Sequence, residues 1–169
     1  MAYTDYTLGE HRELIGFGTA DENRQIARSL AEQARRTIHI FTTDLDPAVF
    51  NQADFIEAIA RMARSHSRAR VTVLVQDSAR AVNRGHRLVE LARRLSSRVE
   101  IRKPVAEYSD LKETFMVADG RGYFHRIRPD RYEGQARFHD PLQCREYVHR
   151  FDEIWQRSHG DRELRRVHL

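Results

Sequence analysis

Along this chain the apolar positions switch repeatedly between a helical spacing and an alternating one, and each switch marks an element. Thr19 and Glu22 form a capping box ahead of Ile26, Ala27, Leu30, Ala31 and Ala34, which predicts a helix from about residue 20 to Arg35. Thr37-Ile38-His39-Ile40-Phe41-Thr42 is rich in β-branched residues and runs into the polar turn Thr43-Asp44-Leu45-Asp46-Pro47, so a strand feeds a loop there. Phe55, Ile56, Ile59, Ala60, Met62 and Ala63 line one side of a second helix over 53–65. Val71-Thr72-Val73-Leu74-Val75 is nearly unbroken in apolar character, as expected of a strand buried on both faces of a sheet.

A third helix is predicted over 84–96 from Leu88, Leu91, Ala92 and Leu95, followed by a short strand at Val99 to Arg102 that Pro104 ends. Beyond Pro104 the pattern changes. Thr114 to Ala118 and Tyr123 to Ile127 are two strand-like runs around Asp119-Gly120-Arg121-Gly122, a turn chemistry that favours an antiparallel hairpin. The last helix has Asp140 as cap, Pro141 at its first position and an apolar stripe of Leu142, Tyr147, Val148, Phe151, Ile154 and Trp155. Strand and helix alternate through the first hundred residues, which argues for an α/β fold with a mixed, mainly parallel sheet flanked by helices. No repeat or linker divides residues 1–169, which are read as a single domain. Residues 1–18 resist assignment, although Leu14, Ile15 and Phe17 suit an extended entry against the core.

Composition narrows the class. The chain has 169 residues, 40% hydrophobic and 32% charged, which excludes disorder and fibrous architectures and fits one core. No apolar run reaches the ~20 residues of a membrane span, and Met1 to Glu10 has no block resembling a signal peptide, so the expected address is the cytoplasm, with no membrane partner. Cys144, the one cysteine, can form neither an internal disulfide nor a thiolate cage. Twenty-nine basic residues oppose 25 acidic ones, and all the basic ones except Lys103 and Lys112 are arginine. Guanidinium forks match phosphate oxygens, so this surface could favour polyanions. Interleaving such as Arg145-Glu146 and Arg162-Glu163 fits a solvated mixed surface equally well.

The order of elements and several strings resemble one half of a phospholipase D-like protein. They include Ile-His-Ile-Phe-Thr-Thr from Ile38, Val-Thr-Val-Leu-Val from Val71 and Val-Glu-Ile-Arg-Lys-Pro from Val99. Phe115-Met116-Val117-Ala118-Asp119-Gly120 and Phe151-Asp152-Glu153-Ile154-Trp155 complete them. The whole chain, including the ending Leu164 to Leu169, is similar to bacterial domains of this type, some attached to an acetyltransferase. The resemblance implies a histidine nucleophile and a charge-neutralising lysine in a His-x-Lys motif, followed by an aspartate. No His-x-Lys occurs here; counted back from Asp119, its two positions fall on Lys112 and Thr114. Aligning Asp110 and Lys112 instead keeps the lysine and still lacks the histidine. The implied phosphodiester chemistry is therefore expected to be absent.

Open α/β sheets place ligands at the carboxyl ends of their strands. Here that edge gathers Thr43, Asp44 and Asp46 from one loop with Gln76, Asp77, Arg84 and His86 from the next, and the candidate ligand-binding set adds Lys112 and Thr114. Helix capping and loop ion pairs suit Asp44, Asp46 and Asp77 equally. Among the nine histidines no His-x-x-x-His spacing occurs, so neither a metal nor another cofactor is expected, although His125, His139 and His149 could converge. His39 is expected to satisfy a buried polar contact. Three functional readings remain. The first is a catalytically inactive module binding a protein partner, such as an acetyltransferase, or a small anionic ligand. The second is nucleic-acid binding through arginine, and the third a phosphoester enzyme built on Asp44, His86 and Arg84. Because the resemblance covers a single half, a homodimer is also implied.

Overall fold

The computed structural model describes residues 3–160. Its framework is one eight-stranded sheet between unequal helical layers. Strand β1 (Ile15–Phe17) leads into α1 (Ala20–Gln33), whose cap Thr19 accepts a hydrogen bond from the Glu22 amide at 3.1 Å. The chain continues through β2 (Thr37–Thr42), the single turn α2 (Pro47–Phe50), α3 (Ala53–Ser65) and β3 (Arg70–Val75). Two short helices, α4 (Ser78–Asn83) and α5 (Arg87–Arg94), precede β4 (Val99–Pro104). The hairpin β5 (Thr114–Ala118) and β6 (Gly122–Arg126) follows, then β7 (Gly134–Arg137), α6 (Pro141–Gln156) and β8 (Ser158–His159).

The strand order is β1-β7-β6-β5-β2-β3-β4-β8. The sheet is mixed, as the pattern predicts: β2, β3 and β4 run parallel, and every other pairing is antiparallel. The antiparallel part is larger than expected because β1, β7 and β8 are too short to show a period. At the hairpin, Asp119 and Gly120 take φ of 55° and 65°, the left-handed pair of a tight Asp-Gly turn.

Alternation along the strands sorts the core into two faces. Ile38, Ile40, Val71, Val73, Met116 and Phe124 pack beneath α1, α3 and α5. Phe41, Leu74, Phe115, Val117 and Tyr123 turn the other way, onto Tyr147, Phe151 and Ile154 of α6. Burying such side chains stabilises by roughly 1.5–3 kcal/mol each.

Several sequence expectations need correction. The helix predicted over 84–96 begins at Arg87 because Gly85 adopts φ +65° and ends the separate α4. Ile15 and Phe17 do enter the core, but Leu14 is exposed, as are Leu142 and Ile127. The ending Leu164 to Leu169 lies outside the described residues. No helix among the described residues is long and apolar enough to cross a membrane.

Candidate functional site

The parallel strands β2 and β3 point their carboxyl ends at a cleft of about 570 Å³, open to solvent. Thr43, Asp44 and Asp46 of the β2–α2 loop line one side, Arg80 and Arg84 of α4 another, and Tyr132 a third. The loop is fixed by its own backbone. Leu45, with φ 55°, donates from its amide to Thr42 Oγ1 at 3.2 Å, and Asp46 caps α2 by accepting from the Ala48 amide at 3.0 Å.

Charges in the cleft are largely matched by other charges of the same chain. Asp44 lies 3.3 Å from Arg80. Burial, then the neighbouring Asp46 carboxylate, raises the Asp44 pKa despite the opposing arginines. Arg126 at the end of β6, only 2% exposed, is the largest fully buried side chain of the described residues. Its guanidinium donates to the Arg131 carbonyl at 2.9 and 3.1 Å and to Asn23 Oδ1 at 3.2 Å. It also stands 3.8 Å from Asp46 and 4.7 Å from the centre of the Tyr132 ring. Burial lowers its pKa while Asp46 favours its charge. The β6 register sets this position: Arg126 pairs with Thr114 and shares the inward face of Phe124.

That pairing bears on the absent motif. Thr114 is buried, with a relative exposure of 4%, and Lys112 is exposed just before β5. Neither lines the cleft. The nearest strand-borne cation is therefore Arg126, which is already enclosed by carbonyls and a carboxylate.

Three other residues expected at this edge hold the structure together. His86 caps α5: its Nδ1 accepts from the Leu88 amide at 3.1 Å, leaving Nε2–H to donate to the Leu45 carbonyl at 3.0 Å. Both ring nitrogens are engaged in the neutral form, and burial pushes the imidazole pKa down to about 4. Gln76 donates to the carbonyls of Tyr108 and Leu111 and ties down the segment before β5. Asp77 caps α4 through the Arg80 amide. The structure thus gathers Thr43, Asp44, Asp46 and Arg84 around one cleft, and turns His86, Gln76, Lys112 and Thr114 away from it. Thr43 Oγ1 is buried without a hydrogen-bond partner.

Sequence reasoning missed Arg80, Arg126 and Tyr132, and also a group on the opposite face. There Glu113 accepts from His125 Nε2 at 2.7 Å and from Arg150, beneath Tyr147. Burial opposes ionisation of Glu113, but the His125 bond and the Arg150 charge outweigh it and its pKa is lowered. His39, expected to satisfy a polar contact, instead has an unpartnered Nδ1 and sets its ring edge-on to Phe151 at 4.9 Å. No three His, Cys, Asp or Glu side chains converge as a metal site among the described residues.

Solved structures with this fold include a phospholipase D family member, Nuc from Salmonella typhimurium, which matches with TM-score 0.62 and 10% identity over 89% of this chain and 98% of its own. NucT from Helicobacter pylori matches at 0.62 and 11%, over 88% and 99%. TrmBL2, an archaeal chromatin protein with a novel mode of DNA binding, matches at 0.65 and 13% over 90% of this chain, which spans about half (55%) of the TrmBL2 chain. These likenesses establish the phospholipase D-like fold. No curated protein matches the chain. In sequence, residues 19–167 match one family model, so the chain belongs to the family described as Domain of unknown function (DUF7931).

Proposed function

We propose that this chain is a phospholipase D-like module that binds without cleaving phosphodiesters, and that its carboxyl-edge cleft receives a small ligand through an anionic group. One observation carries the reading: at the two positions that the resemblance assigns to the nucleophile and its cation stand an exposed Lys112 and a buried Thr114. The lining of the cleft contains no imidazole, and the nearest buried histidine, His86, uses both nitrogens as a cap. Covalent phosphoryl transfer needs a free nucleophile as well as a positioned charge, and among the described residues no imidazole is free to attack at this edge. Arg84, on the cleft wall without an acidic partner within ion-pair distance among the described residues, is the group that would meet an anion.

The test has two arms. Wild-type protein incubated with bis(4-nitrophenyl) phosphate should release no nitrophenol; turnover that copurifies with the protein through successive columns would overturn the non-cleaving reading. Inorganic phosphate titrated into wild type and Arg84→Ala by calorimetry should give heat only with wild type. Equal heats, or none in either, would overturn the cleft assignment.

Nucleic-acid binding is a second reading, favoured by the near-exclusive use of arginine as the basic residue and by the fold shared with a DNA-binding chromatin protein.

A further inference from the structure

The amino-terminal edge of the sheet has a different electrostatic character. A cleft of about 680 Å³ opens there, lined by Arg35, Arg36 and Arg121 together with Gln33, Glu32 and Asp119. All three arginines are exposed, and none has an acidic side chain within ion-pair distance among the described residues. The two acids are occupied. Glu32 lies 3.5 Å from Arg28. The Asp119 carboxylate accepts from the amides of Arg35, Arg36 and Thr37 at 2.7 to 3.1 Å. That carboxylate locks the turn between α1 and β2, so Arg35 and Arg36 leave a rigid backbone beside the Arg121 turn of the β5–β6 hairpin.

The row continues along the edge. The Arg36 carbonyl accepts from the Arg70 amide at 2.9 Å, and the Arg98 carbonyl accepts from Val71 at 2.8 Å, so the starts of β2, β3 and β4 stand side by side, each marked by an arginine. With adjacent strands ~4.8 Å apart, the segment from the hairpin to β4 extends on the order of 20 Å. The Arg70 and Arg98 guanidiniums donate to carbonyls of their own chain, so the cations this edge offers are Arg35, Arg36 and Arg121. Exposed guanidiniums spread along one edge suit the repeating phosphates of a nucleic-acid backbone better than one small anion.

Resting on the nucleic-acid reading, we infer that nucleic acid lies with its phosphate backbone along this amino-terminal edge, on Arg35, Arg36 and Arg121, on the opposite side of the sheet's length from the phospholipase D-like cleft. Contacts of this kind carry no base readout, so affinity should be insensitive to sequence and steeply dependent on salt.

Fluorescence anisotropy with labelled DNA and RNA oligonucleotides tests it, with circular dichroism to verify folding of each variant. Wild type should bind at low salt. Arg35→Ala/Arg36→Ala/Arg121→Ala should bind at least about tenfold more weakly, and its log K against log salt should flatten by about two to three. Arg24→Ala/Arg87→Ala/Arg157→Ala, which removes the same charge elsewhere, should stay within about twofold of wild type. If both triple variants weaken equally, the edge assignment fails while the nucleic-acid reading stands. If wild type retains neither DNA nor RNA at low salt, both fail.

Discussion

The two ends of the sheet contain similar residues in opposite states. At the carboxyl end, Arg126 is enclosed by Asp46, Asn23 and two loop carbonyls, and Arg80 faces Asp44. At the amino end, the carboxylate of Asp119 is bound to backbone amides, and Arg35, Arg36 and Arg121 extend without acidic partners among the described residues. The difference is one of acid placement. A carboxylate matched to a guanidinium stabilises the fold and cancels the field; one matched to main-chain donors fixes a turn and leaves neighbouring cations available.

Breaking the carboxyl end should be costly. Arg126→Ala empties the site of a fully buried side chain and leaves Asn23 Oδ1 and two loop carbonyls without their donor, and should lower stability by about 3–5 kcal/mol in urea unfolding; a loss within measurement error would mean that the buried guanidinium contributes nothing. The His86 cap adds a pH-dependent component. Its folded pKa, about 4, lies below the ordinary value of 6.5, so below about pH 6.5 the unfolded chain takes up a proton that the folded chain refuses. Stability should therefore fall as pH drops from about 6.5 to about 4, by about 3 kcal/mol from this group. His86→Asn, which can still cap without titrating, should remove that part of the slope; an unchanged slope would refute the assignment. At the amino end, Asp119→Ala should cost about 1–2 kcal/mol through loss of its amide bonds together with the strain of alanine at this positive φ, and Asp119→Asn, which tolerates that conformation, less; equal thermal midpoints for all three proteins would deny the carboxylate its role. The smallest effect belongs to Arg80→Ala, whose half-exposed ion pair with Asp44 should contribute less than about 1 kcal/mol. A loss comparable with that of Arg126→Ala would show that both pairs are equally enclosed.

The sequence made the long elements legible because each buries one face: the capped α1, the alternation of β2 and the continuous apolar run of β3 follow directly from period and caps. β7 was hidden because Gly134 to Arg137 contains one fully buried residue, Ala136, and four residues show no period. The pattern predicts a helix only over 84–96, and α4 escapes it because six residues with Ala81 and Val82 as their buried apolar side chains show no period. In the cleft, the acids were legible as loop residues of capping type, whereas His86 was not, since an imidazole is an uncommon cap and its second contact, Leu45, is distant in sequence. Arg126 carried a usable signal: it lies two residues from Phe124 on the same strand face, so alternation alone turns it inward. Its match to Asp46 depends on the β2–α2 loop meeting the end of β6, which no local pattern encodes.

Binding at one edge and internal charge matching at the other can be separated residue by residue. The most direct measurement is a titration of isotope-labelled protein with a short oligonucleotide at low salt, following the arginine side-chain Nε–H and backbone amide resonances by NMR. Arg35, Arg36 and Arg121 should shift progressively while Arg126 stays in place; shifts centred on Arg126, Arg80 and Arg84 with the amino-terminal edge silent would overturn the edge assignment.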